Sequence, residues 1–144
     1  MVDRPPQTPL VLIVISSAFE RVHYALATAA AAAAVDRPVV LFFSQGAVRA
    51  IAGNDQAPGW HRLRVQDASL GGSGAETLDT TFRARGAAGF EELLTACREL
   101  RVTFLVCSMG LRVADIARGD LRADLAVEET GLVDVLGRGA PTFI

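Results

Sequence analysis

The sequence predicts an α/β domain whose sheet is mainly parallel and has about five strands. Three observations carry this prediction. Residues 9–15 and 39–43 are continuous apolar runs, the pattern of strands buried on both faces of a sheet. The second run begins about thirty residues after the first, with an alanine-rich stretch between them, which is the length of a right-handed parallel crossover. A third run, residues 102–106, closes on Cys107 and passes at once into the helix-compatible stretch 108–116.

Taken in order, residues 1–8 form a polar, proline-containing flexible leader, and residues 9–15 the first strand. Ser17 and Glu20 have the S-x-x-E spacing of a capping box, predicting a helix that runs through the alanine tract to about Val35. Alanine has the highest helix propensity, so the tract reads as a close-packing helix and not as a linker. Asp36, Arg37 and Pro38 break it, residues 39–43 form the second strand, and residues 47–52 a short helix after the turn Ser44, Gln45, Gly46. Residues 53–89 are irregular, with a short strand at 63–66 and a helical turn or two at 76–85. Leu93, Leu94, Cys97 and Leu100 then recur at helical spacing before the Cys107 strand. Residues 126–136 predict a last helix, closed by Gly137 and Gly139, and residues 142–144 a terminal strand.

At 144 residues the chain is one domain, and a domain of this size buries roughly 70% of its unfolded surface without needing disulfides. Its 51% hydrophobic content with only 6% aromatics is on the apolar side of ordinary, and such a surplus points to a homo-oligomer interface. A net charge of −2, no basic stripe and few aromatics argue against nucleic acid as a partner. Residues 10–15 followed by Ser16, Ser17 and Ala18 have the outline of a signal peptide, but Asp3 offsets Arg4 and prolines stand at positions 5, 6 and 9. No export signal is predicted. The longest membrane candidate, residues 22–35, contains His23 and is mostly alanine, short of the ~20 apolar residues a span needs. Two cysteines in a chain of this kind suit the reducing cytoplasm.

Cys107 is the candidate functional residue. In an open parallel sheet, ligands bind at the carboxyl ends of the strands, and the free N–H groups of the following helix favour an anion, a thiolate among them. The loops after the first two strands open on the same edge, so Ser16, Ser17, Ser44, Gln45 and Gly46 are predicted to line a polar pocket with Ser108, Met109 and Gly110. Serine and glycine also serve as helix caps and turns, and cysteine is often simply buried, so each of these residues has a purely structural alternative. Cys97 precedes Cys107 by part of a helix and a full strand, roughly 10 Å along the sheet, beyond disulfide reach. It reads as a core residue. His23 and His61 lack metal-ligand spacing, and the Gly71 to Gly74 cluster lacks the G-x-G-x-x-G register, so neither a metal nor a cofactor is predicted.

With its segments in this order the chain resembles the DsrE/DsrF-like family of small sulfur-relay proteins. The matching pieces are the first strand with its alanine-rich helix, Leu41 to Gly46, Phe90 to Leu94 leading into Phe104 to Met109, Glu128 to Leu132, and Thr142 to Ile144. Residues 53–89 lie outside the resemblance. The resemblance implies a three-layer α/β/α sandwich, a homo-oligomer, and a cysteine, here Cys107, that takes sulfane sulfur from a donor protein as a persulfide and passes it to an acceptor thiol. Two alternatives stand beside it: a small-ligand-binding subunit in which Cys107 only lines the pocket, and a mainly structural subunit. Trp60, Leu63, Val65, Leu70, Leu78 and Phe82 are too many anchors for a solvated loop, so residues 53–89 are expected to cover the Cys107 edge as a lid or to enter a subunit interface.

Overall fold

The computed structural model describes residues 7–70 and 74–144. Its sheet has five strands in the order β4-β3-β2-β1-β5, and every pairing is parallel. The strands are β1 (Leu10–Val14), β2 (Val39–Phe43), β3 (Thr103–Cys107), β4 (Glu128–Thr130) and β5 (Pro141–Phe143). Helices α1 (Phe19–Ala34), α2 (Ala75–Ala84), α3 (Phe90–Glu99), α4 (Ser108–Ala114) and α5 (Leu132–Gly137) complete the domain, with 3-10 turns between them. The architecture is the three-layer α/β/α sandwich. The sheet is wholly parallel.

Side chains alternate across a strand, and the two cores follow that period. Leu12 and Val14, Leu41 and Phe43, and Phe104 and Val106 face α1 and α3 in the larger core. Val11, Ile13, Val40, Phe42, Leu105 and Cys107 face the other way and meet Val135 of α5. The topology explains this second layer. β4 and β5 lie on opposite edges of the sheet, so the segment joining them crosses the whole face. A Cβ on Gly139 would lie 3.4 Å from Val11 Cγ2, where the crossing segment comes down onto β1.

Five local expectations need correction. The Ser17–Glu20 capping box does not form: Ala18 is the N-cap of α1, and Ser16 Oγ accepts the Ala18 N–H at 3.1 Å. The chain stays extended past Ser17 because Arg64 bridges it, its N–H donating to the Ser17 carbonyl and its carbonyl accepting from Phe19. Glu20 accepts instead from the N–H groups of Gln66 and Asp67 at 2.9 and 2.6 Å. Partial burial pushes the Glu20 carboxyl up, but those backbone donors outweigh it and hold it below the ordinary value. The strand expected at 63–66 is thus a single bridge at Arg64.

The helix expected at 126–136 is split. Ala126 takes a left-handed conformation, φ 50°, residues 128–130 pair with β3 as an edge strand, and α5 starts only after Gly131. The short helix at 47–52 is a 3-10 turn over Gln45–Ile51. Of the leader, Gln7 and Thr8 are held: Gln7 Nε2 donates to the Val35 carbonyl and Arg37 Nε to the Thr8 carbonyl. Residues 1–6 and 71–73, with most of the glycine cluster, lie outside the described residues.

The apolar anchors expected to hold residues 53–89 as a lid or interface pack into the larger core. Trp60, Leu63 and Leu78 are buried in the larger core, with Val65, Leu70 and Phe82 packed against it, on the sheet face opposite the one Cys107 belongs to. α2 is close to three turns long, and Asp79 on it accepts the Phe90 N–H at 2.7 Å, capping α3 from another element.

Candidate functional site

Because the sheet is wholly parallel, the residues that follow β1, β2 and β3 all emerge at one edge. They meet in pairs. A Cβ on Gly46 would fall 2.7 Å from Ser17 Cβ, and one on Gly110 would fall 3.0 Å from both Ser44 Cα and Ser44 Oγ. Ser44 is buried by this approach, and Gln45 turns the chain in a left-handed conformation, φ 52°. Ser16 caps α1, the Ser17 hydroxyl accepts from Arg64 Nε at 3.3 Å, and Ser108 Oγ donates to the Thr130 carbonyl at 3.4 Å. Met109 is exposed beside them. The loops converge as expected, but at Ser17–Gly46 and Ser44–Gly110 they are in direct contact and not spread around a void.

That contact gives a test. Gly46→Ala places a methyl against the root of the Ser17 side chain, which cannot rotate away, so a loss of about 1–3 kcal/mol is expected. Chemical denaturation of the variant checks it, and a change below the measurement error would show that the Gly46 turn yields freely.

Cys107 ends β3, opposite Thr130 of β4, and is the N-cap residue of α4 with an extended backbone, φ −75° and ψ 128°. Its side chain makes no cap hydrogen bond and belongs to the α5-side core, leaving the residue 3% exposed. Cys97 is also buried but in a different setting. It sits on α3 in the opposite core, its Sγ donates to the Leu26 carbonyl at 3.4 Å, and burial pushes its thiol up to about 12. Both cysteines are free.

A charged cluster that the sequence reading missed lies on the α3 side. Arg122, itself 3% exposed, donates to Glu91 Oε2 at 2.5 Å and through Nε and Nη2 to both oxygens of Asp124 at 3.0 and 2.8 Å. Trp60 Nε1 donates to the same Glu91 oxygen at 2.7 Å. Burial alone would lower the Arg122 pKa, but its hydrogen bonds to the two carboxylates raise it above the ordinary value. A cavity of about 470 Å³ opens beside the cluster between α2 and α3, lined by His61, Glu76, Asp79, Arg83, Glu91 and Glu92. No local spacing announces the Glu91 contacts, since Glu91 and Trp60, like Glu91 and Arg122, are 31 residues apart.

Among the described residues no group of three or more His, Cys, Asp or Glu side chains is placed to hold a metal ion, and no helix is long and apolar enough to cross a membrane. No protein-family model and no curated protein matches the chain. A solved structure of a protein of unknown function, MTH1491 from Methanobacterium thermoautotrophicum, is similar with a TM-score of 0.55 over 96% of this chain and 100% of that one. At 14% identity the likeness is one of fold alone.

Proposed function

We propose that the protein is a cytoplasmic, homo-oligomeric sulfur-relay protein that carries sulfane sulfur on Cys107. The observation that carries this reading is the placement of Cys107 as the last residue of β3 and the first of the turn into α4, at the ligand-binding edge of a parallel sheet. The order of segments resembling the DsrE/DsrF-like family supports it. In the proposed cycle the Cys107 thiolate attacks the outer sulfur of a donor persulfide, forming Cys107–S–SH and releasing the donor thiol. An acceptor thiolate then attacks that outer sulfur and frees Cys107. At 3% exposure the thiol reacts only when the packing around it opens, and Val135 of the six-residue α5 is the one buried helical residue in that core.

The same burial favours a second reading, in which Cys107 only fills the strand end of a ligand-binding or structural subunit. Intact-mass analysis after incubation with a sulfane-sulfur donor, followed by peptide mapping, separates the two. One added sulfur on Cys107, retained in Cys97→Ala and lost in Cys107→Ser, is the expected result. Sulfur on Cys97, or on neither residue, overturns the relay.

A further inference from the structure

We infer that the segment from Gly131 to Ala140, with α5 at its centre, is a gate over the sheet face that holds Cys107, and that it opens while the rest of the domain stays folded. What the opening serves, access of sulfur donor and acceptor to the thiol, rests on the relay reading. The core around Cys107 is built unlike the one on the opposite face. Six of its buried members lie on β1, β2 and β3, and the seventh, Val135, is the only one from a helix among the described residues. On the opposite face α1 buries five residues and α3 four. The free energy of opening a layer grows with the apolar surface it buries, so a layer anchored by one valine is the first to come away.

The rest of α5 adds little to that anchor. Leu132, Val133 and Leu136 face solvent, Val133 at 90% exposure. Asp134 accepts from the Thr130 hydroxyl and from Arg138 in contacts open to water, and exposed pairs of this kind contribute little. The two ends are fixed by the sheet, β4 on β3 and β5 on β1, which confines the opening to the residues between them. Gly139, at φ 155°, holds a conformation that favours glycine and supplies a hinge at the β5 end. Closed, the segment keeps water-borne thiols from a persulfide on Cys107.

The two free cysteines report on the two faces. Alkylation of each in the intact chain by iodoacetamide, resolved by peptide mapping along a urea series below the unfolding transition, reads the openings. Cys107 should alkylate faster than Cys97 and with a shallower urea dependence, since opening α5 exposes less surface than unfolding the domain. The same deletion made once on each face, Val135→Ala and Val22→Ala, separates the layers. V135A should raise the Cys107 rate about tenfold, the effect of two buried methyl groups. V22A should raise the Cys97 rate about as much and leave that of Cys107 unchanged, because the layer holding Val22 is intact in both the closed and the opened state. Gly137→Ala, at a helical position with open space around it, should slow Cys107 about threefold. A Cys107 no faster than Cys97, a V135A chain whose Cys107 rate is unchanged, or a V22A chain in which both rates rise together overturns the inference. Should a variant fail to fold, the rates and urea slopes of the parent decide alone. Because alkylation needs no sulfur donor, a gate that opens in a chain that never takes up sulfur overturns only the relay.

Discussion

Replacing Glu91 by leucine is expected to lower the stability of the domain by about 3–4 kcal/mol, more than removing the arginine it binds. The asymmetry follows from where water can reach. Arg122 is 3% exposed, whereas the Glu91 and Asp124 side chains are each more than a third exposed. Glu91→Leu leaves a buried guanidinium with one carboxylate instead of two and also strips the Trp60 indole N–H of its acceptor. A buried donor without a partner costs about 1–3 kcal/mol by itself. Arg122→Met abandons two carboxylates that regain water on their open sides, so about half the loss is expected for it. Urea unfolding followed by circular dichroism measures both, and equal losses would mean that the guanidinium is better solvated than its burial indicates.

Acid sharpens the test. Hydrogen bonds from Arg122, opposed by partial burial, hold the Asp124 carboxyl below its ordinary value in the folded protein. A folded pKa below the unfolded one stabilises the fold above the unfolded value, near pH 4, and that stability is lost as pH falls through the folded value. The gap between parent and R122M should therefore be constant from about pH 5 upward and shrink below about pH 4, where protonation of Asp124 removes the interaction from the parent too. A gap that widens in acid would show the opposite sign of coupling.

The parts of the fold that were legible in the sequence are those whose environment is uniform. β1, β2 and β3 are covered on both faces, so they are plain apolar runs, and α1 is legible because alanine admits close packing along its whole length. β4 is an edge strand of three residues, Glu128, Glu129 and Thr130, held by backbone pairing with β3, and backbone pairing leaves no side-chain pattern. The capping role of Ser17 failed for a related reason, since Arg64, 47 residues away, had already claimed its backbone. At the candidate site, the convergence of Ser17, Ser44, Gly46 and Gly110 on one edge follows from parallel topology, which the strand spacing revealed. The burial of Cys107 did not follow, because the core it joins is closed by Val135 of α5, and α5 reaches that face only because β4 and β5 occupy opposite edges. Strand order at the edges is a property of the assembled sheet, and three-residue strands carry little record of it.

Trp60→Ala is expected to cost about 3–5 kcal/mol, the loss typical of a large aromatic removed from a core. Trp60 stacks on Phe90 at 4.8 Å and meets Phe19 at 5.8 Å, while Phe82 of α2 also meets Phe19 at 5.6 Å. These rings tie the segment between β2 and α3 to the start of α1 and α3, and Asp79 adds the cap on Phe90. The segment is therefore structural, and shortening it should unfold the domain instead of uncovering Cys107. Because Trp60 and Glu91 share a hydrogen bond, W60A and E91L should be non-additive, the double variant losing about 1 kcal/mol less than the sum of the singles. Trp60 is the single tryptophan, so circular dichroism must follow the variants while fluorescence follows the parent. A loss below about 1 kcal/mol for W60A would place the segment on the surface as a lid after all, and the alkylation rate of Cys107 would then rise in the shortened chain while its circular dichroism stayed that of the parent.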